Sequence, residues 1–121
     1  MIQEISNNYS ANEIEDSIKK TLQREISGEV RFDEITREIY STDASIYRIL
    51  PLCVAIPKNT NDVKTIVQIA YENNIPILPR GGGSSLSGQT VNRAIVIDFS
   101  KYLNSVIDFD KNNKKILTQP G

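Results

Sequence analysis

Between Pro79 and Gln89 the chain reads PRGGGSSLSGQ, a run holding four of the protein's six glycines. Gly81, Gly82 and Gly83 are consecutive. A backbone without Cβ atoms can take positive φ there, turn sharply and aim successive N–H groups into one concavity. Ser84, Ser85 and Ser87 add hydroxyl donors and Arg80 adds a permanent cation at the rim. Together these residue types suit a phosphate or pyrophosphate. The same composition also describes a flexible linker. The flanks decide between the two readings: Ile75-Pro76-Ile77-Leu78 precedes the run and Ala94-Ile95-Val96-Ile97 follows it, so it joins two buried strands.

Composition narrows the chemistry further. The chain has no histidine, which excludes a His general base, a Ser-His-Asp triad and a His-ligated metal within these residues. Its one cysteine, Cys53, cannot form an internal disulfide and lies in the apolar run Leu52 to Ile56, where packing is its expected role. A net charge of -1 from 24% charged residues, with lysines paired only at Lys19-Lys20 and Lys114-Lys115, argues against nucleic acid as a partner. No apolar run approaches the length of a signal segment or membrane span, so a cytoplasmic location is expected. At 121 residues the chain is at most one domain, and small for a cofactor-dependent enzyme with its own substrate site.

Two phosphate-binding templates nearly fit. Gly83 to Thr90 has the spacing of the P-loop G-x-x-x-x-G-K-S/T, but Gln89 stands at the lysine position, leaving the β- and γ-phosphate charge poorly matched. The dinucleotide fingerprint fails at Leu86, where a third glycine is needed for close helix-to-strand packing, and the loop comes too late in the chain.

The elements that must position the loop are legible around it. Ser10-Ala11-Asn12-Glu13 has the form of a capping box, and Ile14, Ile18, Leu22 and Ile26 continue it as one helical stripe that Ser27-Gly28 ends. Val30 to Tyr40 reads as a short capped helix and 41–48 as a loop, with Asp43 in a local Asx-turn and Arg48 a surface charge. Pro51 to Pro57 reads as a strand. A helix capped by Thr60 or Asn61 follows, closed by Asn73-Asn74, and then the strands Ile75 to Leu78 and Ala94 to Asp98. The first two strands and their helix make a unit long enough for parallel pairing. Val106-Ile107-Asp108-Phe109 and Lys115-Ile116-Leu117-Thr118 bracket a hairpin turn. The expected class is α+β: a small sheet with helices packed on it and a C-terminal hairpin.

The segment Tyr40-Ser41-Thr42-Asp43-Ala44-Ser45-Ile46-Tyr47, the prolines Pro51 and Pro57, the run PILPRGGGSSLSGQ, Ala94 to Asp98 and the closing Gln119-Pro120-Gly121 resemble the FAD-binding, PCMH-type domain of the vanillyl-alcohol oxidase/p-cresol methylhydroxylase family. The resemblance is to the branch that contains the glycolate oxidase D subunit and D-lactate dehydrogenases. It covers residues 40–121, leaving 1–39 as an N-terminal helical extension. It implies that the loop binds the FAD pyrophosphate, a role carried onto Arg80, Gly81, Gly82, Gly83, Ser84, Ser85, Gly88 and Gln89. The family commonly reads R-G-G-G-T-S-L-A-G-Q. Here Ser84 replaces threonine, keeping a hydroxyl, and Ser87 replaces alanine, adding one. The loop has neither histidine nor cysteine, which implies non-covalent FAD.

The resemblance also implies that the flavin domain continues beyond Gln119-Pro120-Gly121 and that a substrate domain follows it. Residues that bind the substrate carboxylate and remove the hydroxyl proton are therefore expected outside these 121, and no catalytic residue is assigned. The first functional expectation is the FAD-binding part of a dehydrogenase acting on small 2-hydroxy acids. The second is an interaction module that keeps the fold and works through self-association or a partner chain. Fold alone does not separate them.

Overall fold

Two short apolar runs set the architecture. Cys53–Ile56 and Ile95–Asp98 are buried at every position, the pattern of strands covered on both faces. The computed structural model, which describes residues 14–121, places them as β2 (Cys53–Ile56) and β4 (Ile95–Asp98) inside a four-stranded sheet. With β1 (Glu29–Arg31) and β3 (Ile77–Arg80), the order is β1-β2-β4-β3. β4 is parallel to both β2 and β3, and β1 closes the far edge antiparallel to β2.

The expected strand-helix-strand unit is present, with α3 (Thr60–Glu72) leading from β2 to β3. The two strands do not pair, however, because β4 lies between them. The reason is in the side chains. β3 carries Pro79, which has no N–H to give a ladder, and its residues alternate between exposed and half-buried, so it suits an edge. The four buried residues of β4 need neighbours on both sides. The cap of α3 also lies one residue earlier than expected: the Asn59 side chain accepts from Asp62 N. Asn73 ends the helix and Asn74 takes the left-handed conformation (φ 52°) that turns the chain toward β3.

The capping box at Ser10 to Glu13 lies outside the described residues. α1 spans Asp16–Glu25, with Glu15 at its N-cap making no side-chain cap bond. Its expected stripe packs as one: Ile14, Leu22 and Ile26 are buried, and Ile18 lies against the same cluster. The segment from Val30 to Tyr40, expected as one helix, divides into β1 and α2 (Glu34–Ile39). Asp33 enforces the division by capping α2 through Thr36 N at 3.0 Å. A strand of three residues with one apolar side chain leaves no periodicity to read.

Residues 14–39 thus share the sheet and the core with the rest of the chain. Asp62, in the first turn of α3, ties them in by accepting from Ser27 N and Lys58 N, each at 2.9 Å. One face of the sheet is covered by a cluster from α1, α3 and the strands, including Leu22, Ile66, Ile69, Cys53 and Ile95. On the other, Val54, Ile56 and Val96 are covered by Tyr40, Leu78 and Tyr102. The C-terminal hairpin is a separate two-stranded sheet of β5 (Val106–Asp110) and β6 (Lys115–Thr118), with a bulge between Val106 and Asp108.

Candidate functional site

The glycine loop leaves β3 at the end of the sheet where β2, β3 and β4 all finish, the end at which open parallel sheets place ligands. Its main chain takes positive φ at Gly83 (67°) and Gly88 (79°). The freedom expected across the triple glycine is therefore used only at its last member. Gly81 and Gly82 serve another purpose, since a Cβ built on either would meet no atom within 4 Å. The backbone there is open on one side. Among the described residues, no main-chain hydrogen bond uses the N–H groups of Gly81 through Ser85. Five successive donors therefore line this stretch, and from Pro79 to Ala94 the sequence carries two arginines and no acid.

The sequence-expected residues separate into groups. Gly81, Gly82 and Ser84 lie on the open stretch, with the Ser84 side chain exposed, while Gly83 between them is buried. Ser85 and Gln89 bond one another: the Ser85 hydroxyl pairs with Gln89 Oε1 and accepts from Gln89 N at 3.1 Å. That pairing closes the second half of the loop. Gly88 packs on the ring of Tyr47. The side chain of Arg80 turns back into the protein. Its Nη1 donates to the carbonyls of Tyr40 (3.3 Å) and Thr90 (3.0 Å), and its Nη2 to that of Thr42 (2.9 Å).

The loop rests on the segment that follows α2. Tyr40 stacks under the Arg80 guanidinium at 5.1 Å and donates its hydroxyl to the buried carboxylate of Asp98 at the end of β4. Burial, reinforced by that carboxylate, pushes the Tyr40 phenol up to about 12. Ala44 N donates to Gly83 O at 3.0 Å. Asp43 makes the expected Asx-turn, accepting from Ser45 N at 2.8 Å, and its other oxygen accepts from Thr90 Oγ1 at 2.9 Å. The Ser45 side chain, against the opposing effect of burial and together with further hydrogen bonds from Ser45 and Thr90, pulls the Asp43 carboxyl down to about 2. Arg48 pairs with Glu38. Sequence reasoning missed Tyr40, Thr42, Asp43 and Thr90 as supports of the loop. Each acts through contacts across some forty residues, which no local pattern encodes.

Beside this region, an apolar groove of about 390 Å³ runs between the start of α3 and the hairpin, lined by Val63, Phe99, Leu103, Ile107 and Pro120 among others. Cys53 stays buried in β2, and burial pushes its thiol up to about 12. That is the signature of packing, not of a reactive group.

A glycine loop with open main-chain donors at the C-terminal ends of parallel strands, propped by a preceding loop, defines the class: an α+β domain that places its glycine loop at the end where such sheets take ligands. Residues 51–121 match the FAD binding domain family, and the chain belongs to it; FAD is the cofactor that goes with it. Among curated proteins, the chain is 32% identical to D-2-hydroxyglutarate dehydrogenase of Escherichia coli, over 82% of this chain and 10% of that protein. It is 35% identical to glycolate oxidase subunit GlcD of Bacillus subtilis, over 80% of this chain and 22% of that one. It is 36% identical to mitochondrial D-lactate dehydrogenase [cytochrome] 1 of Saccharomyces cerevisiae, over 59% and 13%. The chain thus spans between 8% and 22% of the length of curated relatives it matches. Among solved structures, alkyldihydroxyacetonephosphate synthase superposes with a TM-score of 0.68 at 20% identity, over 81% of this chain and 22% of that one. The α+β fold is therefore that of PCMH-type FAD-binding domains. Among the described residues, no helix is long and apolar enough to cross a membrane.

Proposed function

We propose that the glycine loop holds the pyrophosphate of FAD, and that residues 40–121 form the first part of the flavin domain of an oxidoreductase acting on small 2-hydroxy acids of the glycolate, D-lactate or D-2-hydroxyglutarate kind. The observation that carries the reading is the open backbone at Gly81 and Gly82 together with the unpaired N–H groups from Gly81 to Ser85. Successive main-chain donors on one stretch suit an anion with several oxygens better than any neutral ligand. Gly83 and Ser84 extend the cradle. Ser85, Gly88 and Gln89 fix the shape of the second turn. When bound, FAD supplies a hydride acceptor at its N5. This chain's part is to bind and orient it, without a covalent link, since the loop has no cysteine or histidine.

Competition tests the reading. FAD binding is followed by flavin fluorescence while ADP, which carries the pyrophosphate, or riboflavin, which carries no phosphate, is added. ADP is expected to displace FAD at lower concentration than riboflavin does. Displacement by riboflavin alone would overturn the pyrophosphate assignment.

A further inference from the structure

The position of the Arg80 side chain is at odds with the simplest role for a cation beside a phosphate loop. Three of its donors already serve main-chain carbonyls, and these belong to two separate stretches, Tyr40 and Thr42 in one and Thr90 in the other. Its guanidinium carbon lies over the Tyr40 ring, and the hydroxyl of that ring is itself held by Asp98. A Cβ on Gly83 would collide with the guanidinium, so Arg80 lies directly behind the loop's main chain at a buried residue. Gly82 beside it is exposed. Turning the guanidinium toward a ligand would break all three bonds and leave the partly buried carbonyls of Tyr40 and Thr90 without this donor.

We infer that Arg80 is a positioning residue: its guanidinium clamps Tyr40, Thr42 and Thr90 together behind Gly83, holds the glycine loop open before any ligand arrives, and makes no contact with the phosphate. This rests on reading the loop as the pyrophosphate site. A planar fork with donors in fixed directions can bridge three carbonyls. An ammonium is a point charge on a flexible stem and cannot reproduce the bridge, even though it keeps the charge. Ordering the loop in advance favours binding because the ligand then spends less of its interaction on immobilising the chain.

Arg80→Ala and Arg80→Lys separate positioning from charge. Amide hydrogen exchange of the FAD-free chain is expected to speed up in residues 40–44 and at the bonded amides of Ser87 and Gln89 in both variants, while β2 and β4 stay protected. Both are expected to weaken FAD by about tenfold or more, by factors agreeing within about twofold at roughly 20 mM and 500 mM salt, a change that shortens the screening length from about 20 Å to about 4 Å. Should Arg80→Ala fail to fold, Arg80→Lys carries the test. Lysine restoring wild-type affinity, or exchange unchanged in both stretches, would overturn the inference and make Arg80 a charge partner of the ligand. The exchange arm contains no FAD. Its failure is therefore distinct from failure of the pyrophosphate reading, which shows as a wild-type chain that ADP does not compete for.

Discussion

Gly88 lies against the ring of Tyr47 so closely that a Cβ on the glycine would stand 2.6 Å from Tyr47 Cδ2. The same residue has a φ of 79°, so both backbone and packing require glycine. Gly88→Ala is expected to cost about 2 kcal/mol, from the left-handed backbone together with the overpacked ring. In a Tyr47→Ala background the steric part disappears and about 1 kcal/mol should remain. Urea midpoints of the four proteins measure both parts. Equal costs in the two backgrounds would show that the ring does not confine Gly88.

The two neighbours Gly82 and Gly83 should separate binding from folding. A side chain on Gly82 meets nothing in the protein, so Gly82→Val is expected to leave stability within about 0.5 kcal/mol while filling the space a ligand's oxygens would enter, removing FAD binding. Gly83→Val forces a β-branched residue to positive φ against Arg80 and should lower the melting temperature outright. Calorimetry with a flavin titration checks both. A Gly82→Val chain that binds FAD as wild type does would sink the cradle.

These glycines show where the sequence was legible. The run itself, its buried flanks, the stripe of α1, the helix after Pro57 and the hairpin turn all rest on contacts within a few residues, and local pattern reports such contacts. The triple glycine could be read as a turn without revealing that only Gly83 uses positive φ. Arg80 could be read as a cation at the loop without revealing that it faces inward. β1 stayed hidden because Val30 is its only apolar residue. The place of β4 between β2 and β3 depends on which strand tolerates an edge, and Pro79 was the one local clue. Tyr40, Thr42, Asp43 and Thr90 support the loop through long-range bonds alone.

Leu22 of α1 is fully buried in the cluster that also holds Cys53, Ile66 and Ile95. Leu22→Ala is expected to destabilise the whole chain by about 2–5 kcal/mol. Exchange protection in β2 and β4 should fall together with that in α1. Loss confined to α1, with the sheet unaffected, would mean that residues before 40 behave as a separate extension.

Asp43 links the two loops, and its folded value of about 2 lies below its ordinary 3.8. For a depressed carboxyl the stabilisation is present above the ordinary value. It declines as pH falls from there and is lost as pH passes through the folded value. Asp43→Asn should therefore be less stable than wild type at pH 5, with the gap closing toward pH 2. Asp33, similarly lowered to about 2 by its cap bonds from Thr36, is common to both proteins and cancels in the comparison. A gap that stays constant from pH 5 to pH 2 would assign the loss to something other than ionised Asp43.

By itself the 121-residue chain is expected to bind FAD weakly, to oxidise no hydroxy acid and to self-associate. The loop offers donors for the pyrophosphate, yet sites for ligands of this size bury most of the ligand's surface, and the open stretch at Gly81 to Ser84 supplies no apolar wall for two ring systems. Association also costs several kcal/mol of lost freedom before contacts register as affinity. The expected dissociation constant is micromolar or weaker, roughly -8 kcal/mol or less favourable, and the purified protein should be colourless. The hairpin, meanwhile, leaves Val106, Ile107, Phe109, Ile116 and Leu117 each more than half exposed on a two-stranded sheet whose outer edges are unpaired among the described residues. Apolar surface beside open strand edges favours pairing with another chain. Sedimentation should therefore show dimers or larger species as concentration rises, and Phe109→Lys with Leu117→Lys should return the protein to monomer. Nanomolar FAD affinity, or dye reduction by hydroxy acids above a protein-free blank, would contradict the binding part. A monomer at every concentration would contradict the other.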